Sequence, residues 1–334
     1  MTAESLEQLL GRAIAARADL FDSRHEGALR LFNGFYEGWP DLVADLYAGT
    51  LVLCNYADPP EAGGAILPAV QSLLLAQLPW VRGVIVKTRQ SPSLEARRGQ
   101  QVYGSQADRR IREFGVWYAL DLRLNRDASL YLDTRNLRAW TRQTLAGQTV
   151  LNTFAYTGSL GVAALAGGAV RVVQLDRNRQ FLSLGKTSYT LNGFPIDKKD
   201  FLVGDFWPAV NQLKRRGARF DCVFVDAPFF SATDKGTVDL AQNSARLINK
   251  VRPLVNDGGR IVAVNNALFV SGQAYLQTLT SLCADGYLEI ETFIPVPADV
   301  TGFPDTIVRP PITDPAPFNH ATKIAILRVK RKAP

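Results

Sequence analysis

Between Thr149 and Asn265 five short β-rich runs alternate with helical segments: TVLNTF (149–154), AVRVVQL (169–175), PIDKKDFLV (195–203), FDCVFVD (220–226) and GRIVAVN (259–265). Strands separated by helix-length segments predict a parallel sheet with helices on both faces. In open sheets of this kind ligands bind at the carboxyl ends of the strands, so the residues closing each run are the first candidates for function. Two further runs follow, GYLEIETFIPV (286–296) and TKIAILRVK (322–330), separated by a segment carrying Pro297, Pro304, Pro310, Pro311, Pro315 and Pro317. Proline excludes helix and central strand there. A connection so long is either a lid or substrate loop, or a plain surface loop.

The 334 residues are enough for two domains. Residues 1–125 mix strand runs, TLVLCNY (50–56), GVIVK (83–87) and GVWYALDL (115–122), with the helical run PAVQSLLLAQL (68–78), and are expected to form an α+β domain. Residues 126–334 are expected to form the α/β domain. At the N-terminus Leu6, Leu10, Ala13 and Ile14 make one helical stripe behind Glu4 and Glu7, which reads as a surface helix of a cytoplasmic protein and not as a basic-then-apolar leader. The uncharged stretches 62–81 and 143–170 are interrupted by Pro68, Gln71, Gln77 and Pro79, and by Gln148, Asn152 and glycines. Neither has the roughly 18 consecutive apolar residues of a membrane span.

Three cysteines, Cys54, Cys222 and Cys283, indicate no disulfide framework and no zinc site; the first two sit in apolar runs where buried thiols are common. The formal charge of +7 makes a polyanionic partner plausible. Eight basic residues lie between Arg82 and Arg112 (Arg82, Lys87, Arg89, Arg97, Arg98, Arg109, Arg110 and Arg112) against Glu95 and Asp108. This stretch, with LKRRGAR (213–219) and the terminal RVKRK (328–332), either tracks RNA phosphates or is a solvated face.

Val150 to Asp176 runs strand, small-residue turn, alanine-rich helix, second strand and closing acid, the layout of a nucleoside-cofactor site. Gly158 lets the backbone approach a ligand, and Asp176 can accept from two ribose hydroxyls. NAD and S-adenosylmethionine share this geometry, but the turn F-A-Y-T-G-S-L-G lacks the G-x-G-x-x-G that accommodates a pyrophosphate. After the fourth run stands Asp226-Ala227-Pro228-Phe229-Phe230-Ser231. Here Asp226 can orient a base and a phenylalanine can stack on it, or the phenylalanines fill the core. After the third run, Asp205 and Phe206 can meet an adenine, or Asp205 is an N-cap. After the fifth, Asn265 and Asn266 face the same cleft or are turn formers.

On these residues the chain resembles the class I, S-adenosylmethionine-dependent 23S ribosomal RNA methyltransferases that carry a small α+β domain before the Rossmann-like domain. RLFNGFYEGWPDLVADLY (30–47) matches the family at Asn33, Gly34, Glu37, Gly38, Pro40, Leu42, Asp45 and Tyr47, and YLDTRNLRAW (131–140) matches its Leu-Asp-x-Arg segment at Asp133 and Arg135. The resemblance implies a Rossmann-like seven-stranded α/β sheet with an antiparallel last strand. It implies S-adenosyl-L-methionine held by Arg135, Phe154, Tyr156, Thr157, Gly158, Ser159, Asp176, Arg177, Asp205 and Phe206. Asp226, Pro228 and Phe229 would then be catalytic, and Phe230, Asn265, Asn266 and His320 would contact the substrate, an RNA such as 23S rRNA or a ribosomal precursor. His320 either faces the cleft or is a surface histidine.

The cytosine-C5 branch of the family carries a cysteine after strand five, where this chain has Asn265-Asn266; Cys283 lies well beyond. The guanine-N7 half of a fused 23S rRNA enzyme instead shows an Asn-Asn pair, a Y-T-G-S turn (Tyr156 to Ser159) and a Phe-Ser (Phe230-Ser231), all present here. Guanine is therefore the expected base, attacked through a lone pair that needs no general base. Ala227 replaces the first of the family's two strand-four prolines, and the 24 residues before His25 are too few for the separate RNA-binding module of some members. A non-catalytic RNA-binding or ribosome-assembly factor, a cytosine-C5 enzyme and an NAD-dependent oxidoreductase are the competing readings.

Overall fold

A computed structural model of the chain describes residues 4–331. They divide into two units, the chain up to Asp133 together with Pro297–Pro311, and Thr134–Val296 together with the chain from Ile312. The division falls after 133 and not after 125 because the intervening residues are fastened to the first unit. Lys87 Nζ donates to the carbonyls of Asn125 (3.0 Å) and Asp127 (3.2 Å), and Tyr47 Oη to that of Leu130 (3.1 Å).

In the first unit, α1 (Leu6–Ala16) opens with a capping box in which Ser5 Oγ accepts from the Gln8 amide and Gln8 Oε1 from the Ser5 amide. Strands β1 (Ala28–Asn33), β2 (Leu42–Tyr47), β3 (Thr50–Asn55), β4 (Gly83–Thr88) and β5 (Gln100–Tyr103) form one sheet in chain order. Only β3 and β4 pair in parallel, and the crossover between them contains α3 (Pro60–Gly64) and α4 (Leu67–Gln77); α2 (Gly34–Glu37) links β1 to β2. α5 (Leu94–Arg98) precedes β5, and β6 (Arg110–Glu113) and β7 (Val116–Ala119) form a separate hairpin.

The first half of the proline-rich segment belongs to this unit. The short helix Ala298–Thr301 lies against β1, where Asp299 Oδ2 accepts the Arg30 amide (2.9 Å) and Val300 O accepts Asn33 Nδ2 (2.8 Å). Arg17, fully buried, pairs with Glu37 at 2.9 Å and also donates to Asp299 O at 2.8 Å. Residues 298–300 are thus fastened to β1 and are neither a free lid nor a plain surface loop. The segment's second half joins the other unit, with Asp314 O accepting the Gly272 amide (2.9 Å) and Phe318 in the core.

In the second unit α6 (Arg135–Thr144) leads into a seven-stranded sheet. Its strands are β8 (Thr149–Thr153), β9 (Arg171–Asp176), β10 (Phe201–Val203), β11 (Phe220–Asp226), β14 (Val255–Asn265), β15 (Leu288–Phe293) and β16 (Lys323–Val329), in the order β10-β9-β8-β11-β14-β16-β15. A small hairpin, β12 (Phe230–Thr233) and β13 (Gly236–Asp239), follows β11. β16 runs antiparallel to both neighbours and the other pairings are parallel. Helices α7 (Ser159–Ala166), α8 (Arg179–Leu191), α9 (Phe206–Arg215), α10 (Ser244–Val251) and α11 (Gly272–Cys283) connect the strands.

Both sheet faces are buried, as a parallel sheet requires. Leu151, Val173, Val223, Val225, Ile261 and Ala263 fill one core, and Val150, Val172, Phe224, Val262, Val264 and Ile326 the other. The third strand is shorter than the run 195–203, because Asp197 caps a 3-10 turn over Lys198–Asp200 and only Phe201–Val203 pairs with β9. No helix among the described residues is long and apolar enough to cross a membrane. Lys332, the last residue of the terminal basic run, lies outside the described residues, as do Met1 to Ala3.

Candidate cofactor and active site

Parallel pairing brings the ends of β8, β9, β10, β11 and β14 to one carboxyl edge, with Val203 opposite Asp176, Thr153 opposite Leu175 and Val225, and Asp226 opposite Val264. The turn after β8 is backbone-strained: Phe154, Tyr156 and Gly158 have φ of 54°, 51° and 78°. A non-glycine residue in that region costs about 1–3 kcal/mol and persists only where its surroundings fix it. Here the Ala155 amide donates to Leu175 O (2.9 Å), the Gly158 amide to Ala155 O (2.7 Å), and the Tyr156 amide to Asp176 Oδ2 (2.9 Å).

Asp176 takes the Asn178 amide on its other oxygen at 2.8 Å. Burial raises its pKa above the ordinary carboxyl value, against the pull of these two amides. Each oxygen keeps lone-pair capacity for a further donor.

Beneath the turn lies a polar network that the sequence reading overlooked. Gln174, fully buried, accepts from Asn152 Nδ2 (2.9 Å) and donates to Gly158 O and Tyr189 Oη (3.2 Å each). A Cβ on Gly161 would lie 2.1 Å from Gln174 Nε2, so α7 approaches this amide as closely as only glycine permits. The available signal was an Asn and a Gln inside runs that otherwise read as buried strand.

Thr157 is buried and Ser159, the first residue of α7, half-buried, while Arg177 is exposed beyond the end of β9. Phe154 stacks on Phe206 with centroids 4.7 Å apart, and Tyr156 meets Phe181 edge-on at 4.5 Å. Phe206 belongs to the core, which places it behind Phe154. Asp205 is an N-cap: Oδ1 accepts the Trp207 amide at 3.0 Å, and Oδ2 accepts the Thr233 hydroxyl at 2.9 Å. That bond ties the end of β10 to the hairpin after β11. Arg135 starts α6, whose Asn136 Nδ2 donates to Pro295 O (2.9 Å) just past β15, which sets the helix start at the same carboxyl edge.

Asp226 is half-buried at the end of β11, about 10 Å, or two strand spacings, from Asp176. Ala227 is buried, Pro228 is exposed, and Phe229 and Phe230 are 48% and 58% exposed, which rules out the core-filling reading of this pair. The two asparagines have different fates. Asn265 is buried and turned inward, its amide donating to Leu240 O (3.1 Å) and its oxygen accepting from the Ala267 amide (2.9 Å). Asn266 is exposed, with Nδ2 3.4 Å from Ala227 O. Asn265 is therefore a turn former, whereas Asn266 stands beside the strand-four motif.

His320 reaches this edge because Lys323, three residues on, lies opposite Asn265. Its Nδ1 accepts the Thr322 amide at 3.0 Å, which puts the proton of a neutral ring on Nε2. Lys323 was also overlooked. Its side chain is fully buried and Nζ donates to Ala267 O (3.0 Å) and Ala321 O (2.5 Å), and burial pulls its pKa down to about 8.

The strand order, the glycine-poor turn after the first parallel strand and the acid closing the second define a Rossmann-like protein built around a nucleoside cofactor without a pyrophosphate cradle. The chain belongs to the S-adenosylmethionine-dependent methyltransferase family, whose model matches residues 29–301. It is 29% identical over 272 residues to YwbD of Bacillus subtilis, provisionally named a ribosomal RNA large subunit methyltransferase, which covers 77% of this chain and 65% of YwbD. Ribosomal RNA large subunit methyltransferase K/L of Shewanella pealeana is 29% identical over 237 residues, 68% of this chain and 32% of that enzyme. The chain thus spans less than two thirds of either relative. Among solved structures, SMU.776 complexed with SAH superposes with a TM-score of 0.82 at 21% identity, covering 97% of this chain and 80% of that one.

Proposed function

We propose that this chain methylates a base of large-subunit ribosomal RNA, guanine before cytosine, in the cytoplasm. The observation that carries the reading is the exposed Phe229-Phe230 pair, separated from Asp226 by Ala227 and Pro228 at the carboxyl edge, one strand away from the Asp176-braced turn. Two aromatic faces in such a place suit a base taken out of its stack. The names of YwbD and of the K/L enzyme support RNA of the large subunit as the target.

The residues present fit S-adenosylmethionine. Asp176 retains acceptor capacity for ribose hydroxyls, the Phe154–Ser159 turn offers close backbone approach, and Arg135 is suited to a carboxylate. When bound, that cofactor supplies a methyl carbon already activated by a sulfonium. What remains for the protein is positioning. Asp226 orients the base, Phe229 and Phe230 hold its faces, and Asn266 and His320 border the same edge. Guanine N7 carries a free lone pair, so no group has to remove a proton first.

Cytosine-C5 methylation needs a thiolate. Cys54 and Cys222 are buried in strands, with the Cys54 thiol pushed up to about 11, and burial also raises Cys283 at the end of α11. None of the three stands at the carboxyl edge.

The test is transfer of labelled methyl from S-adenosylmethionine to 23S rRNA from a strain lacking the gene, followed by nucleoside digestion. A labelled methylguanosine is expected. Label in 5-methylcytidine would overturn the base assignment, and RNA binding without any transfer would favour a non-catalytic factor.

A further inference from the structure

The basic stretch between Arg82 and Arg112 is not one surface. Lys87 is buried with Nζ on three carbonyls, Arg82 pairs with Asp108 at 2.6 Å, and Arg89 donates to Arg126 O at 2.6 Å while lying over Tyr56. These charges hold the first unit together. Arg110 and Arg112 do something else.

On the β6–β7 hairpin, Ile111, Val116 and Tyr118 turn inward and are buried, while Arg110, Arg112 and Trp117 share the outward face. Arg112 lies opposite Trp117, and the guanidinium carbons of Arg110 and Arg112 sit 4.5 Å and 5.4 Å from the Trp117 ring centroid. Arg112 Nη1 makes a long ion pair with Glu26 Oε2 at 3.7 Å. Phe114 caps the tip, 48% exposed with φ of 51°. A guanidinium lying over an indole is held by its face; Arg112 Nε is buried, so the terminal Nη groups are what it offers to an oxyanion. Two such groups two residues apart on one strand are about 7 Å apart, the scale of one nucleotide step.

We infer that the β6–β7 hairpin is an RNA-docking surface of the first unit, with Arg110 and Arg112 on consecutive phosphates and Phe114 stacked on an unpaired base. The inference rests on the RNA reading above and adds where the first unit takes hold. A lone apolar tip beside two cations matches a polyanion with exposed ring faces better than a lipid surface, which calls for a continuous apolar face.

The experiment compares wild type, Arg110→Gln/Arg112→Gln and Phe114→Asn for binding to a 23S rRNA transcript across a salt series. Asparagine is chosen at 114 because it tolerates positive φ. Losing two phosphate contacts should flatten the plot of log affinity against log salt by about 1.5 and weaken binding about tenfold near physiological salt. Loss of a stacked base should weaken binding at least about fivefold in Phe114→Asn. S-adenosylhomocysteine binding should be unchanged in both variants, which reports that they are folded. Wild-type affinity and slope in both variants would overturn the docking surface and leave the RNA reading standing. Cofactor binding with no RNA binding by wild type would overturn that reading and the docking surface with it. Variants that lose binding to phosphatidylglycerol vesicles but keep RNA would mark a membrane surface and overturn the inference.

Discussion

The amide of Tyr156 donates to Asp176 Oδ2 at 2.9 Å, so the acid closing the second parallel strand is also the brace of the turn leaving the first. The two elements that must meet a nucleoside cofactor are one structure. Removing the carboxylate therefore loosens a strained turn at the same time as it deletes an acceptor.

The support beneath that turn is equally tight. Gly161→Ala would set a methyl 2.1 Å from Gln174 Nε2, and Gln174 cannot retreat because Asn152, Gly158 and Tyr189 all hold it. Overpacking of this kind costs about 1–3 kcal/mol. Thermal denaturation should show a clear drop in Tm together with weaker S-adenosylhomocysteine binding. An unchanged Tm would mean the amide is free to move.

Thr233 on the β12–β13 hairpin reaches Asp205 Oδ2 at 2.9 Å. Thr233→Val keeps the shape and removes the bond. The expected result is lower kcat and higher KM for RNA, about threefold to tenfold, the effect of one ordinary hydrogen bond, with S-adenosylhomocysteine affinity nearly unchanged. A loss confined to cofactor affinity would show that the hairpin does not serve the substrate.

Lys323 gives a pH dependence of definite sign. Its folded pKa of about 8 lies below the ordinary 10.5, so the unfolded chain binds the extra proton between these values and stability rises with pH across that window. Denaturant titrations should show the stability of wild type relative to Lys323→Met increasing from about pH 8 to pH 10.5 and flat from pH 6 to 7. A constant difference throughout would contradict a depressed pKa.

Glu291 predicts the acid limb. It faces Arg260 at 2.9 Å and Arg328 at 3.0 Å across three strands, and although burial opposes ionisation, these two arginines hold its pKa below the usual glutamate value. A depressed carboxyl pKa contributes stability that is present above about pH 4.5 and lost as pH falls through the folded value. Glu291→Gln should cost about 1 kcal/mol at pH 7, with the difference from wild type shrinking as pH falls below the ordinary glutamate value. A difference that does not shrink with falling pH would assign the effect to packing.

Much of this arrangement is legible in the chain. The runs 149–154, 169–175, 220–226 and 259–265 each become a strand because β-branched and aromatic residues are buried on both faces. The run 195–203 fails over most of its length because Asp197, Lys198, Lys199 and Asp200 have no apolar face to bury and the Asp197 side chain caps a turn instead. At the site, the strand-end positions were readable from periodicity. Which way a side chain turns there was not: Asn265 points in and Asn266 points out, though identical and adjacent. Gln174 and Lys323 are polar residues inside apolar runs, and their partners, Gly158 O and Ala267 O, are backbone atoms that no residue type announces.

Calorimetric titration of the purified chain with S-adenosylhomocysteine, beside Asp176→Ala and with NAD as control, tests the central claim most directly. Micromolar binding by wild type, at least about a hundredfold weaker in the variant as loss of two or more hydrogen bonds to a charged group would give, with no heat from NAD, is the predicted result. Equal affinity in both proteins, or no binding by folded wild type, would contradict it.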